Sequence, residues 1–145
     1  IIGGPRPATT KGKRIFAKAF PKVPIIKTGS TTAEMVKYFL NCFLATKVSF
    51  ANEMYEICNY LKIDYDKVIE YVIYYELLGK SHLNVPGPDG DLGYGGHCFP
   101  KDVKALIKVA IDNDLLPQML IATDDKNNEV RNNRNWENMK GRAII

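Results

Sequence analysis

A cysteine lies at the end of a glycine-rich segment, and a lysine and an aspartate follow it closely. The segment runs from Gly93 to Asp102 and reads GYGGHCFPKD. Pro100 is typical of the first turn of a helix, because its missing N–H would have no partner there. Cys98 is therefore predicted to lie at a helix N-terminus, where unpaired amides and the helix dipole stabilise a thiolate, the nucleophilic form of cysteine. Because Lys101 and Asp102 follow on the same turn, we favour a catalytic cysteine over an ordinary buried one.

A second set of polar residues occurs earlier in the chain. Glu34, Lys37 and Asn41 are separated by three and four residues, so a helix places them on one face. A lysine and an amide on that face would suit the stabilisation of a developing oxyanion. A solvated polar stripe explains the same spacing equally well, and the residues alone leave both interpretations open. His97 is predicted to be a surface histidine, and the spacing of potential ligands indicates no metal site.

These residues must be positioned by a framework that is predicted to be mainly helical. Thr31 and Glu34 form a capping-box pattern, which predicts the start of a long helix over 31–61. Its apolar stripe, which includes Cys42, is too long for one small domain to cover, so the helix either runs through a bundle or packs against a second copy. Cys42 and Cys58 are predicted to be core residues of this helix. Prolines and glycines over 80–99 predict a long functional loop. Further helices are predicted over 66–78 with Gly79 as terminator, over 100–113, and from 117 into the polar stretch 124–138.

The 145-residue chain has the composition of an ordinary globular protein, with 46% apolar and 25% charged residues. Its net charge of +4 reflects a basic stretch near the N-terminus, which lacks the interleaved aromatic residues of a single-stranded nucleic-acid groove. No apolar run reaches the length of a membrane span. Three cysteines without a CxxC pair favour reduced thiols. We therefore expect a cytoplasmic protein that binds neither nucleic acid nor membrane.

The two ends of the chain differ in character from its middle. Residues 1–29 carry four prolines and are predicted to form an irregular connector, with one short helix over 13–20 and a brief strand over 24–27. Residues 30–139 make up the predicted helical domain, and 140–145 read as the beginning of a further strand. These ends lead us to expect a piece of a larger protein.

Two segments resemble the nucleotide-sugar dehydrogenase family typified by UDP-glucose 6-dehydrogenase. They are AEMVKYFLN over 33–41 and GYGGHCFPKD over 93–102, and both in this order are more specific than either alone. The resemblance extends over nearly the whole chain and corresponds to the central domain of a three-domain enzyme. It implies a helical bundle like the C-terminal domain of 6-phosphogluconate dehydrogenase, with a long central helix through which two subunits dimerise. Residues 1–29 would then connect from an absent Rossmann domain, and 140–145 would lead to an absent nucleotide-binding domain.

The resemblance also implies a reaction. The C6 alcohol of UDP-glucose would be oxidised to the carboxylate of UDP-glucuronate by two NAD, with a thiohemiacetal and then a thioester on Cys98. Lys37 would stabilise the oxyanion, and Asn41 would hold the reacting oxygen. Asp102 would position or activate the hydrolytic water.

The substrate and cofactor contacts implied by the resemblance involve partly the same residues. Lys37 and Asn41 would contact the substrate, and Tyr94 and Gly95 would line the sugar-nucleotide pocket. Lys101 would lie near the NAD, which would be bound mainly by the absent domain. The chain alone is therefore expected to be inactive, since it contains neither of the common glycine-rich phosphate-binding motifs.

One departure from the family leaves other functions open. The family usually carries an arginine in the turn before the glycine that matches Gly79, and it reaches the substrate of the neighbouring subunit. This chain has Leu77 there. A non-catalytic helical dimerisation module would not need that contact, and the same chemistry on GDP-mannose is a further alternative. The loop sequences over 85–90 and 99–102 favour UDP-glucose.

Overall fold

The computed structural model describes residues 1–139, whose contacts form one unit of residues 1–40 and a second unit from residue 41 onward. Helices dominate the chain, which confirms the predicted mainly α class. The segment 140–145, predicted to begin a strand, lies outside the described residues. Over residues 1–139, no helix combines the length and the apolar character that crossing a bilayer requires.

The first unit contains a helix between two short parallel strands, which pair Ile2 with Lys27. Its elements are β1 (Ile2–Gly3), α1 (Arg6–Ala19) and β2 (Lys27–Thr28). The helix predicted over 13–20 is too short, because α1 begins at Arg6. Pro5 is its N-cap residue, and Pro7 lies in the first turn, where a proline costs no helical hydrogen bond. The strand predicted over 24–27 is displaced to β2. Residues 1–29 thus contain regular structure instead of an irregular connector.

Helix α2 (Ser30–Leu61) is 32 residues long and begins one residue before the predicted 31–61. Its buried residues are small or polar: Cys42, Ala45, Ser49, Ala51, Asn52 and Cys58. Four of them, at positions 42, 45, 49 and 52, follow the helical spacing of three to four residues. The predicted core positions of Cys42 and Cys58 are thereby confirmed. Other faces carry large apolar side chains that are about half exposed, such as Phe50 and Leu61.

The second unit continues with three more helices and a 3₁₀ turn. They are α3 (Tyr65–Tyr74), α4 (Phe99–Ile111), α5 (Gln118–Val130) and a 3₁₀ helix at Asn135–Asn138. The Asp64 side chain caps α3 by accepting from two backbone amides. The prediction that α3 extends to residue 78 is wrong. Glu76 has a left-handed φ of 54°, which a helix cannot contain, so Gly79 is not the terminator.

Two apolar clusters form the core of the second unit, one at each end of the loop over 80–99. The first joins α2 to the start of that loop through Ala51, Cys58, Tyr65, Leu83 and Val85. The second joins α2, the glycine-rich segment and α4 through Cys42, Ala45, Tyr94 and Val103. The Tyr65 hydroxyl donates to the Leu83 carbonyl at 2.8 Å. The loop is therefore anchored to the helices at both ends, although it contains no regular structure.

Candidate active site

Cys98 lies immediately before the first residue of α4, in the N-cap position. Its backbone carbonyl accepts the first hydrogen bond of the helix, from the Asp102 amide at 3.0 Å. Cys98 is exposed, whereas Cys42 and Cys58 are buried. Pro100 occupies the first turn, as its sequence position predicted. The structure thus presents one accessible thiol of the three, at a helix N-terminus.

Asp102 brings the two sequence segments of the predicted site together. Its side chain is fully buried, and its Oδ2 accepts a hydrogen bond of 2.5 Å from Nδ2 of Asn41 on α2. Its Oδ1 pairs with the ammonium group of Lys101, whose side chain is about one quarter exposed. The carboxylate and the cation therefore lie within about one turn of Cys98 along the chain, and the amide comes from α2. Such a set can hold charge and orient a water molecule.

A cleft of about 510 Å³ lies beside the glycine-rich segment. Its wall contains backbone and small side chains from that segment together with polar residues of the preceding loop. The lining residues are Val48, Ser81, His82, Asn84, Gly87, Pro88, Asp89, Gly93, Tyr94, Gly95, Gly96, Phe99 and Asn135. Tyr94 and Gly95, the predicted pocket residues, are both among them. The cleft has the size of a small-molecule site.

Three asparagines hold the backbone of the glycine-rich segment. Asn52 accepts from the Gly93 amide at 3.1 Å, and Asn135 accepts from the Gly96 amide at 3.0 Å. Asn127 bonds to both backbone groups of Tyr94: it accepts from the amide at 2.6 Å and donates to the carbonyl at 3.1 Å. Sequence reasoning missed these residues, because isolated asparagines on helices carry no spacing signal.

Gly93 shows why the segment needs glycine. Its φ is +66°, which favours residues without a Cβ, and a Cβ there would overlap the Asn127 Oδ1. The close approach of the backbone to α5 is thus what lets Asn127 bond to the next residue.

Burial raises the pKa of the Tyr94 phenol, and the nearby Asp124 and Cys42 raise it further. The hydroxyl is buried and finds no hydrogen-bond partner among residues 1–139, while the ring packs edge-on against Phe99. Tyr94 therefore contributes to the cleft wall through its backbone and ring, with its hydroxyl turned into the core.

Three further residues that the sequence singled out are exposed. Lys37 belongs to the first unit, where it is exposed with its Nζ 5.3 Å from the Tyr38 ring centroid. His97 is exposed, in agreement with its prediction as a surface histidine. Leu77, at the position of the family arginine, is 86% exposed. Over residues 1–139, no group of three potential metal ligands occurs.

Asn127→Leu is expected to lower the free energy of unfolding by about 2–4 kcal/mol, because it leaves a buried amide and a buried carbonyl of Tyr94 unpaired. Chemical denaturation measures the change. Asn128→Leu is the matched control on the same helix, since it removes only a half-buried side-chain bond to Asp124. Equal, small effects of both substitutions would contradict the assigned role of Asn127.

Comparison with known proteins gives a consistent family. A sequence model of the UDP-glucose/GDP-mannose dehydrogenase family, central domain, matches residues 31–129. The UDP-glucose 6-dehydrogenase AglM of Haloferax volcanii is 39% identical over 104 residues, which are 72% of this chain and 23% of that protein. The UDP-glucose 6-dehydrogenase of Rhizobium meliloti is 36% identical over 122 residues, 84% of this chain and 25% of that protein.

The fold agrees with a solved structure. A UDP-glucose dehydrogenase from the hyperthermophilic archaeon Pyrobaculum islandicum superposes with a TM-score of 0.70 and 30% identity, over 83% of this chain and 27% of that chain. The chain thus spans about a quarter of the length of the relatives it matches.

Proposed function

Since the chain belongs to the UDP-glucose/GDP-mannose dehydrogenase family, we propose that it is the catalytic-thiol domain of an enzyme that oxidises UDP-glucose to UDP-glucuronate. One observation supports this most directly. The exposed Cys98 immediately precedes the helix whose first turn carries Asp102, and Asp102 bonds to Asn41 and Lys101. The two segments shared with the family, far apart in sequence, thus contribute to one polar cluster.

The proposed reaction uses this chain for the covalent steps. After the C6 alcohol has lost a hydride and a proton, the Cys98 thiolate adds to the aldehyde carbon and forms the oxyanion of a thiohemiacetal. Loss of a second hydride from this oxyanion leaves a thioester. Water then attacks the thioester carbonyl, and the carboxylate, the thiolate and two protons are released. Asn41 is proposed to donate to the reacting oxygen, and Asp102 to orient the water and accept its proton.

NAD, supplied by a domain outside this chain, is the proposed acceptor of both hydrides. Among residues 1–139, Lys101 is proposed to lie near the NAD, and its ammonium group pairs with Asp102. Lys101 therefore fits the edge of a cofactor site as a cation, but it does not form a phosphate-binding cradle. Residues 1–29 are proposed to connect this domain to the NAD-binding domain, and 140–145 to lead to a nucleotide-binding domain.

The remaining site residues are proposed to bind substrate. Tyr94 and Gly95 would line the pocket for the nucleotide sugar, in agreement with their place in the cleft wall. Lys37 is proposed to stabilise the oxyanion of the tetrahedral intermediates. The negative charge forms on the oxygen as the thiolate or water adds to the carbonyl, and it is lost as the hydride or the thiolate leaves. A cation aimed at it therefore lowers the barrier to addition more than it strengthens ground-state binding.

We also propose that the protein forms a homodimer through α2. The helix leaves Phe50, Ile57 and Leu61 about half exposed at spacings of seven and four residues, which place them on one face. A soluble monomer rarely exposes so continuous an apolar stripe. A second copy of α2 would cover it symmetrically.

The substrate is tested by assaying the full-length enzyme with NAD and either UDP-glucose or GDP-mannose. We expect kcat/KM for UDP-glucose to be higher by about 100-fold or more, because a site built for one base leaves polar groups unpaired with the other. Two NADH should form for each sugar oxidised. Equal kcat/KM values would contradict the substrate assignment, and oxidation of neither sugar would favour the non-catalytic dimerisation module, the alternative that Leu77 leaves open.

A further inference from the structure

Arg131 follows the last residue of α5, and its side chain is 1% exposed. Arginine is rarely buried unless its charge is paired and its donors are satisfied. The guanidinium donates to Asp89 Oδ2 at 2.6 Å, to the Leu92 carbonyl at 3.3 Å and to the Asn133 carbonyl at 2.9 Å. A second carboxylate, that of Asp91, lies 3.6 Å from its Nε. One side chain therefore joins the loop before the glycine-rich segment to the segment after α5.

The same guanidinium lies against the backbone of the glycine-rich segment. A Cβ on Gly95 would overlap Nη2 of Arg131 and would lie 2.9 Å from its Cζ. Gly95 is three residues before Cys98, and the next amide, that of Gly96, is held by Asn135. The guanidinium therefore lies beside the stretch of backbone that leads to the thiol.

Arg131 lies behind the wall of the cleft and is not part of its lining. Asp89 and Gly95 line the cleft, whereas Arg131 does not. A ligand in the cleft would touch the wall and not the guanidinium behind it. The arginine can therefore influence such a ligand only through the position of Asp89, Gly95 and the turn that ends in Cys98.

We propose that Arg131 is a positioning residue, which sets the Cys98 turn relative to the substrate cleft by bonding Asp89 to the end of α5 and packing against the backbone at Gly95. This role rests on the proposed function, because it concerns the same cleft and the same thiol. The guanidinium suits it for a geometric reason. Its planar fork donates in several directions at once, whereas the ammonium of lysine is a single point on a flexible stem.

Arg131→Lys in the full-length enzyme tests the proposal, since it keeps the charge and loses the fork. We expect kcat to fall about 10- to 100-fold, because small displacements of a reacting group have effects of this size. Amide hydrogen exchange at Gly95 and Gly96 should accelerate by about tenfold, since their support opens locally. Arg134→Lys is the matched control: its side chain is 43% exposed and bonds to Glu137 and the Asn128 carbonyl, so both quantities should stay at wild-type values.

A double-mutant cycle separates positioning from general stability. Gly95→Ala changes the same contact from the glycine, because its new Cβ would meet the Arg131 guanidinium. Its effect on kcat should therefore be strongly non-additive with that of Arg131→Lys. Additive effects would contradict a shared contact. Wild-type kcat and wild-type exchange in Arg131→Lys would overturn the proposal.

A second variant decides the question if Arg131→Lys does not fold. Asp89→Asn removes one charge partner at a half-exposed position. It should accelerate the exchange of Gly95 and Gly96 and lower kcat severalfold, and the absence of both effects would overturn the proposal. If the wild-type enzyme oxidises no nucleotide sugar, the proposed function fails by itself. Hydrogen exchange then still decides whether Arg131 supports the turn.

Discussion

Cys98→Ser is expected to lower kcat of the full-length enzyme for UDP-glucose oxidation by about three orders of magnitude or more. The substitution keeps the size of the side chain but replaces a thiolate by a hydroxyl, which is a weak nucleophile without an adjacent base. An ester in place of the thioester would also hydrolyse more slowly. Steady-state production of NADH measures the loss. The intact mass of the enzyme, recorded with substrate within the time of one wild-type turnover, should show no covalent adduct.

The buried cysteines provide the control for this substitution. Cys58→Ala removes a thiol from the core cluster around Ala51 and Tyr65, away from the glycine-rich segment. We expect it to lower stability by about 1–2 kcal/mol through the cavity it leaves, with kcat of the folded enzyme unchanged. Activity retained by Cys98→Ser would show that Cys98 is not the nucleophile. It would leave the polar cluster around Asp102 without its proposed role.

Asp102→Asn is expected to lower kcat by about 100- to 1000-fold, the usual contribution of a general base. The amide cannot accept a proton, and it presents a donor to Asn41 or Lys101 where the carboxylate accepted from both. If Asp102 acts in hydrolysis, the first half of the reaction should persist. The acyl enzyme should therefore accumulate and be visible as a covalent adduct on Cys98 by intact mass.

The same helix provides a matched control for Asp102. Lys108 and Asp112 form a similar lysine–aspartate pair at the other end of α4, and both side chains are at least half exposed. Asp112→Asn should leave kcat at its wild-type value, because an exposed pair contributes little. A normal rate in Asp102→Asn, or a lower rate without any adduct, would contradict the hydrolytic role and leave Asp102 as a structural anchor of Asn41.

Some elements could be predicted because their signals are local in the sequence. Pro100 and the periodic apolar residues after it determined the start of α4, and this placed Cys98 at the N-terminus. The long helix was predicted to within one residue, since it contains no proline or glycine. Where the sequence carried no local signal, the prediction failed. The helix predicted over 66–78 stops at Tyr74, because Glu76 adopts a left-handed conformation that its residue type does not indicate.

In the candidate site too, the contacts between sequence neighbours could be predicted and those between distant residues could not. Cys98, Lys101 and Asp102 are close in sequence, so their proximity follows from one turn of helix. The contact of Asn41 with Asp102 spans 61 residues, and helical periodicity can indicate a shared face but not which distant element packs against it. Sequence reasoning also did not find Asn127 and Arg131, because their partners are backbone groups and carboxylates far along the chain.

The sequence by itself therefore determined the helical class, the nucleophile candidate and the family resemblance, because short-range rules of backbone geometry and residue chemistry govern them. Only the tertiary structure decided how the glycine-rich loop is held. Its backbone amides and carbonyls must find partners once the loop is buried, and the partners are side chains from α2, α5 and the segment that follows α5. That choice depends on packing in three dimensions, which places Asn127 beneath Tyr94 and Arg131 beneath Gly95.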